Sequence, residues 1–328
     1  MPDPGHPPTV QLEVDGQQVE VPATGSLLDV LREDLGRTSA KDGCSPQGQC
    51  GCCTVLVDGQ PRVACVTPVR RVAGRSITTA EGLEPTQRDR WATAFCATGA
   101  SQCGFCTPGI ICRLEGLRAK GTPAGDHPAV EQSLLAHLCR CTGWRTILDA
   151  WDLAVGEGPS AGARDLTAAA ARAEVEGGVP QAVSPAVALG HGGFADDGAP
   201  ADALVALPDG QGGWAIGERL DEARAAAGKV QGRRTTVEPR PPLQLPPGDW
   251  SAALRTSWVE PGYLEPDASW CAPGGTPASA LANGGAFGGK VDTELGEVAR
   301  RLADQHGRAV RVLLPREDVV RRGPKRPP

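Results

Sequence analysis

The 328-residue sequence lacks any uninterrupted apolar run that is long enough to cross a bilayer. Its first residues, MPDPGHPPTVQLEV, contain neither a basic stretch followed by an apolar one nor a twin arginine. There is no excess of basic residues either, because 33 lysines and arginines stand against 39 aspartates and glutamates, a net charge of -6. These absences favour a cytoplasmic protein that contacts neither a membrane nor nucleic acid.

Cysteine, in contrast, is plentiful, with twelve residues in the chain. Cytosolic thiols are kept reduced, so a disulfide framework is not expected and metal ligation becomes the leading interpretation. Apart from Cys271, the cysteines fall into two groups, one within residues 44–65 and one within residues 96–141. Two groups predict two metal sites.

The first group lies in a segment with the pattern of a small β-rich domain. TVQLEVDGQQVEVPA alternates apolar and polar residues around a turn at Asp15–Gly16, which is typical of a hairpin. Ser26 can cap a helix that Gly36 ends, and a second hairpin follows around Asp58–Gly59. Strands, one helix and a further hairpin predict a β-grasp domain over residues 1–82.

The cysteine spacing in this segment favours an iron-sulfur cluster. Cys44, Cys50 and Cys53 form a C-x5-C-x2-C pattern, one residue longer than the plant-type ferredoxin spacing, and Cys65 follows as a distant fourth thiol. Zinc also takes four cysteines, but zinc knuckles usually present two C-x2-C pairs and this group has one. Cys52 is adjacent to a candidate ligand and could compete for it; we interpret it as a small buried thiol.

The second group lies between predicted helices. QCGFCTPG places Cys103 and Cys106 in the turn before one helix, and LCRCTGW places Cys139 and Cys141 between two others. With a preceding helix, these segments predict four short helices over residues 83–156. The two turns can face each other and supply four thiolates. His137, on a helix one turn before the cysteines, is interpreted as a solvated or capping group rather than a ligand.

Three motifs, CGCCTVLVDG, QCGFCTPG and LCRCTGW in that order, resemble the iron-sulfur subunit of the molybdenum hydroxylases, the xanthine dehydrogenase and aldehyde oxidase family. The resemblance covers about the first half of the chain. It implies two 2Fe-2S clusters, one in a plant-ferredoxin-like domain and one in a four-helix domain, that relay electrons from a molybdopterin centre to a flavin. It also implies a hetero-oligomer with a molybdopterin-binding subunit, which holds or shares that cofactor, and a subunit that binds FAD.

The resemblance assigns roles to individual residues. The cysteines that would bind the distal cluster, here called the distal set, are Cys44, Cys50, Cys53 and Cys65. The cysteines that would bind the proximal cluster, here called the proximal set, are Cys103, Cys106, Cys139 and Cys141. Gln102 matches the glutamine of the family that reaches the pterin, and the backbone of Cys141 is expected near the same cofactor. The extra residue between Cys44 and Cys50 departs from the usual spacing.

The second half of the chain gives weaker signals. Residues 157–200 are rich in alanine and glycine and are interpreted as a linker, and residues 201–328 predict a smaller α/β domain. GGAFGGK resembles a loop of the molybdopterin-binding subunit, which implies that Phe287 and Gly288 approach the molybdenum centre. The later part of that subunit has no counterpart here. The segment is therefore either a fragment that a separate chain completes or a unit that only docks partners.

The expected fold class is α+β, with the β-grasp domain, the four-helix domain and the smaller α/β segment in that order. The expected function is electron transfer within a molybdenum hydroxylase, with no catalytic residue in this chain. The alternative is an iron-sulfur redox sensor or scaffold with no relay. Two sets of four cysteines favour the relay, because a sensor needs only one labile cluster. The substrate class, whether purine, aldehyde, carbon monoxide or N-heterocycle, is not encoded in these motifs.

Overall fold

The computed structural model describes residues 8–44, 46–156, 165, 167–168, 171, 183–228, 246–254, 263–280 and 293–322. The predicted site residues Phe287 and Gly288 lie outside the described residues. Within the described part of the chain, no helix combines the length and the apolar character that crossing a membrane requires.

A five-stranded sheet forms the N-terminal unit. Its strands are β1 (Thr9–Val14), β2 (Gln17–Pro22), β3 (Thr54–Val57), β4 (Gln60–Val63) and β5 (Ser76–Thr78). They lie in the order β2-β1-β5-β3-β4, and β1 pairs with β5 in parallel while the other neighbours are antiparallel. The two hairpins turn at Asp15–Gly16 and Asp58–Gly59, as the sequence predicts.

The helix that crosses this sheet begins with a capping box. The hydroxyl of Ser26 accepts a hydrogen bond from Asp29 N, and the Asp29 carboxylate accepts one from Ser26 N. Helix α1 (Leu27–Asp29) then widens into a π-helical turn, Val30–Asp34. Its apolar side is buried in the core, and its other residues include a buried arginine, Arg32.

Four helices follow the sheet. They are α2 (Pro85–Thr98), α3 (Thr107–Arg118), α4 (His127–Ser133) and α5 (Arg145–Val155). The buried carboxylate of Glu115 on α3 fixes α2, because it accepts hydrogen bonds from Trp91 Nε1 at 2.8 Å and Gln87 Nε2 at 2.9 Å and forms an ion pair with Arg118. Trp91 in turn packs against Trp151 of α5. One continuous apolar core joins these helices to the sheet.

A second sheet forms the C-terminal unit. Its elements, in chain order, are β6 (Leu204–Pro208), β7 (Trp214–Gly217), α7 (Leu220–Ala226), β8 (Asp267–Cys271), α8 (Leu295–His306), β9 (Val310–Leu314) and α9 (Arg316–Arg322), with α6 (Pro185–Ala188) preceding them. The strand order is β7-β6-β9-β8, with β6 and β9 parallel. The apolar side chains of α8 pack on one face of the sheet, and Leu220 and Ala223 of α7 pack on the other.

Residues 183–200 fall within the linker that the sequence predicts, yet they pack against the N-terminal units. Phe194 is 6% exposed and meets Phe105 edge to face, with ring centroids 5.1 Å apart. Lys41 is buried, its ammonium donates to Gly190 O at 2.7 Å, and it lies 5.6 Å from the Phe194 ring centroid. This part of the chain therefore holds the C-terminal unit against the N-terminal sheet and its helices.

Buried charges line this interface. Arg32 donates to Asp196 Oδ2 at 2.7 Å and to Asp197 Oδ1 at 3.0 Å, and Lys41 forms an ion pair with Asp197. Although burial opposes it, the positive charges of Arg32 and Arg311 lower the pKa of Asp196 below its ordinary value. The Asp196 carboxylate therefore stays charged opposite the two arginines.

Arginines of the C-terminal unit complete the network on acidic residues around α1. The pairs are Arg311 with Glu33 at 2.6 Å, Arg219 with Asp34 at 2.7 Å, and Arg224 with Asp29 at 3.4 Å and with Asp42. Most of these side chains are shielded from water, so each charge depends on its partner.

We predict that Arg32→Met lowers the free energy of unfolding by about 3 kcal/mol, because it leaves two buried carboxylates with too little positive charge. Urea unfolding of the full chain measures the loss, and hydrogen exchange in β6 reports loosening of the interface. The control is Arg75→Met, since Arg75 pairs with Asp58 on the surface and both side chains are over 40% exposed. If Arg32→Met and Arg75→Met lowered the free energy of unfolding equally, the interface would not depend on the buried ion pairs.

Candidate metal centres

The distal set comes together around the loop that precedes β3. The Cys44 side chain lies within hydrogen-bond reach of Cys50 and Cys65, and Cys65 also reaches Cys53. All four side chains are at most 6% exposed. Backbone amides point at these sulfurs: Gln47 N donates to Cys44 Sγ at 3.2 Å, Gln49 N also donates to Cys44, and Cys65 N donates to Cys53 Sγ at 3.4 Å.

The proximal set comes from the two inter-helix turns. Cys103 and Cys106 lie immediately before α3, and Cys139 and Cys141 lie between α4 and α5. The sulfurs form two cross-turn pairs: Cys141 Sγ is 3.5 Å from Cys103 Sγ, and Cys106 hydrogen-bonds to Cys139. Unlike the distal set, three of these four thiols are partly exposed, and only Cys106 is buried.

The neighbouring thiols shift one another's pKa values in both sets. Hydrogen bonds from Cys50 and Cys65 hold the pKa of Cys44 far below its usual range, while the same contacts and burial raise the pKa values of Cys50 and Cys65. In the proximal set, the contact with Cys106 and a hydrogen bond from Thr142 lower the pKa of Cys139 to about 6. A thiolate crowded by further thiols suits a cationic metal centre.

Both sets fit a 2Fe-2S cluster. Four cysteine thiolates are the usual ligands of such a cluster, and each of its irons binds two of them. Within the described residues, no three cysteine, histidine, aspartate or glutamate side chains form a group that could hold one metal ion. A 2Fe-2S cluster does not need such a group, because each of its two irons binds only two cysteine thiolates. The loop also fits closely, because a Cβ on Gly43 would lie 3.1 Å from Cys50 Sγ.

The two sets meet at a backbone junction. Leu138 N, next to Cys139, donates to Cys50 O at 2.9 Å. On the other side of the junction, a Cβ on Gly109 would lie 2.3 Å from Gly51 O and 2.9 Å from Cys52 O, so only glycine permits this approach of α3 to the distal loop. One hydrogen bond and one close packing contact thus connect the loops that carry the sets.

His137 differs from its expected role. From its place on a helix one turn before the cysteines, the sequence suggested a solvated or capping group. Instead, its side chain is 4% exposed, and Nε2 lies 3.1 Å from Thr54 Oγ1 of β3. Burial, followed by the charge of Arg113, lowers the pKa of His137 to about 4. The neutral ring therefore packs at the junction, and its contact with Gly51 replaces contact with water.

Gln102 and Cys141 lie on the more open side of the proximal set. Gln102 is exposed and directly precedes Cys103, while the Cys141 side chain is half-buried. Sequence reasoning missed two neighbours in the same turn. Thr142 Oγ1 lies 3.1 Å from Cys139 Sγ, and Trp144 has a φ of 74°, a conformation that costs free energy for a residue with a side chain. Their place in CRCTGW, beside two cysteines, was the available signal.

Cys96, Cys112 and Cys271 take no part in either set. Cys112 is fully buried on α3, and burial raises the pKa of its thiol above the usual range. Cys96 on α2 and Cys271 on β8 are also buried. They lie in helices or a strand rather than in the cysteine loops, which is the placement of small apolar side chains.

Comparison with known proteins agrees with two cluster-binding regions. Residues 8–82 match a 2Fe-2S iron-sulfur cluster binding domain, and residues 79–152 match a 2Fe-2S binding domain. The class of the protein is therefore that of a chain with two 2Fe-2S clusters.

Individual relatives define the family. The chain is 41% identical to a probable xanthine dehydrogenase subunit of Bacillus subtilis over 140 residues, 42% of this chain and 80% of that protein. It is 37% identical to the nicotinate dehydrogenase small FeS subunit of Eubacterium barkeri over 139 residues, 42% of this chain and 87% of that protein. The chain belongs to the iron-sulfur subunits of the molybdenum hydroxylase family, and its role is electron transfer through 2Fe-2S clusters.

A solved structure extends the likeness in fold to the C-terminal unit. The aldehyde oxidoreductase of Desulfovibrio desulfuricans matches 94% of this chain with a TM-score of 0.63 and 21% sequence identity. This chain spans 50% of the length of that one. The mixed α and β architecture is confirmed, and at this identity the match concerns the fold alone.

We predict that cysteine-to-serine substitutions separate ligands from neighbours. Cys103→Ser or Cys139→Ser removes a thiolate and should erase or distort one cluster's paramagnetic signal while the other remains. Cys53→Ser should affect only the signal of the distal cluster. Electron paramagnetic resonance of the reduced, iron-loaded chain is the measurement.

The controls are Cys96→Ser, Cys112→Ser and Cys271→Ser, which should leave both signals, since each removes only a buried thiol. If Cys52→Ser abolished the distal signal and Cys53→Ser preserved it, Cys52 would be the ligand and our assignment of Cys53 would be wrong.

Proposed function

We propose that the chain carries electrons from a molybdopterin centre on one partner subunit, through the proximal and then the distal cluster, to FAD on another partner. The observation that carries the proposal is the junction at which Leu138 N donates to Cys50 O. This hydrogen bond joins Leu138, the neighbour of Cys139 in the proximal set, to Cys50 of the distal set. A sensor would not need two sets of thiols joined in this way.

The proposed cluster ligands are the eight cysteines of the two sets. When bound, each 2Fe-2S cluster supplies a carrier for one electron. The chain's own residues would hold and orient it: the backbone amides of Gln47 and Cys65 aim at distal sulfurs, and Thr142 contacts a proximal one. The apolar core around the distal set would keep water from that cluster.

The partner that delivers electrons would contact the proximal side. Cys103, Cys139 and Cys141 are partly exposed there, and Gln102 is exposed beside them. An amide side chain offers both donors and acceptors, which suits the polar edge of a pterin. Leu135, 81% exposed, and Leu138, 46% exposed, lie in the segment that leads to Cys139 and would be covered by the same assembly.

The C-terminal unit would form part of the seat for the molybdopterin subunit. Its fold is shared with part of the larger aldehyde oxidoreductase chain, and buried ion pairs hold it on the iron-sulfur region. Hydroxylation also needs a base and a substrate pocket. We assign these to the partner chain, with Phe287 and Gly288 contributing to the cradle of the cofactor.

We predict that the anaerobically purified chain contains about four iron and four acid-labile sulfides, the content of two two-iron clusters. Iron and sulfide assays give the stoichiometry, and they are made on protein from a host that assembles clusters. Protein saturated with zinc and lacking labile sulfide would contradict the proposal.

We also predict that the isolated chain hydroxylates none of the candidate substrates, whereas addition of molybdopterin and FAD subunits restores turnover. Stopped-flow absorbance should show reduction of both clusters by the molybdopterin subunit. Turnover together with molybdenum and flavin bound to the chain purified alone would refute this division of labour, as would failure of both partners to bind.

Variants test the proposed docking side. Gln102→Ala should slow cluster reduction by the molybdopterin subunit about fivefold, the equivalent of about 1 kcal/mol for one lost hydrogen bond. The control, Gln132→Ala, changes an exposed glutamine on α4 and should leave the rate unchanged. If the two variants were reduced by the molybdopterin subunit at equal rates, Gln102 would have no part in the proposed contact.

A further inference from the structure

Cys52 is a buried thiol between the two cysteine sets that belongs to neither. Its side chain is 1% exposed, its Sγ donates to Cys50 O at 3.7 Å, and the same Sγ lies within hydrogen-bond reach of the Cys50 side chain. Gly43 packs against both sulfurs, because a Cβ there would lie 3.1 Å from Cys50 Sγ and 3.3 Å from Cys52 Sγ. The thiol of Cys52 thus borders the distal set.

The same residue borders the proximal set on its other side. The carbonyl of Cys52 meets Gly109 in the first turn of α3, and the thiol lies close enough to Cys103 and Cys106 to interact with them electrostatically. Lys41 N donates to Cys52 O at 3.2 Å, which fixes the orientation of the peptide. Cys52 therefore has a defined place at the junction.

Cluster binding decides which sulfur donates in the pair formed by Cys50 and Cys52. A cysteine that binds iron does so as a thiolate and has no proton to donate. With Cys50 as a ligand, Cys52 is the member of the pair with an S–H group to donate, and rotation about its Cβ–Sγ bond can turn that group from Cys50 O to the negatively charged Cys50 Sγ. A hydrogen bond to a cluster sulfur stabilises the added negative charge of the reduced cluster and raises its reduction potential.

We propose that Cys52 is a positioning residue whose S–H group donates to Cys50 Sγ and thereby raises the reduction potential of the distal cluster relative to the proximal one. This inference rests on the proposed function, in which the distal cluster receives electrons from the proximal one. The raised potential favours that direction of transfer. The role requires a proton donor at this position and no bond from Cys52 to iron.

The test is a redox titration of the full, iron-loaded chain followed by electron paramagnetic resonance. Cys52→Ala should shift the distal midpoint to lower potential and leave the proximal midpoint in place. The electron-sharing equilibrium between the clusters should change about tenfold, equal to about 59 mV for a one-electron couple. Cys52→Ser keeps a hydrogen-bond donor, so its distal midpoint potential should lie close to that of the unmodified chain.

The matched control is Cys112→Ala, which removes a buried thiol from α3 outside both sets and should move neither midpoint. An unchanged distal midpoint in Cys52→Ala, or the same shift in Cys52→Ser and Cys52→Ala, would overturn the inference. Loss of the distal cluster in Cys52→Ala, with retention in Cys53→Ala, would overturn it too, because Cys52 would then be a ligand.

A measurement on the unmodified protein covers the case in which Cys52→Ala does not fold. Proton ENDOR, recorded before and after exchange into D2O, should detect an exchangeable proton of Cys52 that is coupled to the distal cluster. The coupling of this proton should change in Cys52→Ser and stay the same in Cys112→Ala. A coupling that Cys52→Ser leaves unaltered would contradict the inference. If no cluster assembles in the unmodified chain, the proposed function fails; if both assemble and these signals disagree, only the role of Cys52 fails.

Discussion

The close approach of α3 to the distal loop is the constraint on which the rest of the structure depends. A Cβ on Gly109 would lie 2.3 Å from Gly51 O, so any larger residue would push the helix and the loop apart. Cys103 and Cys106 directly precede this helix, and Cys50 and Cys53 flank the loop's contact point. The two cysteine sets therefore share one apolar core. A shared core fixes the separation of two redox centres in a way that two tethered domains could not.

The interface with the C-terminal unit follows a different principle, since charge rather than apolar area provides most of its specificity. Arg32 and Lys41 extend from the N-terminal unit toward Asp196 and Asp197, while Arg311 reaches back to Glu33. Such buried pairs cost desolvation and add little net stability, but each is severely penalised when its partner is absent. The network therefore selects one orientation of the unit. That orientation places Phe194 against Phe105, two residues beyond Cys103.

Local patterns allowed prediction of the hairpins, the capped helix and the two cysteine sets, because each depends on a few neighbouring residues. The hairpin turn at Asp15–Gly16 and the helix after Pro108 are examples. Sequence reasoning did not find the burial of Arg32, since its acidic partners lie more than 160 positions away. His137 failed for a similar reason. Its predicted place on a helix, one turn before the cysteines, suggested a solvated or capping group, whereas Thr54 and Gly51 of the N-terminal unit cover it.

The difference in exposure between the two sets has a consequence for the direction of electron flow. Burial by itself disfavours the more negative, reduced form of a cluster, so the enclosed distal site needs donors that compensate. The amides of Gln47 and Cys65 supply them, and the thiol of Cys52 would add another in the role proposed for it. The proximal site also receives backbone donors, from Phe105 to Cys103 and from Cys141 and Thr142 to Cys139, but it has more contact with water while the chain is alone. A partner that covers Gln102 and Leu135 removes that water and lowers the proximal potential. Assembly itself would therefore increase the driving force from the proximal to the distal cluster.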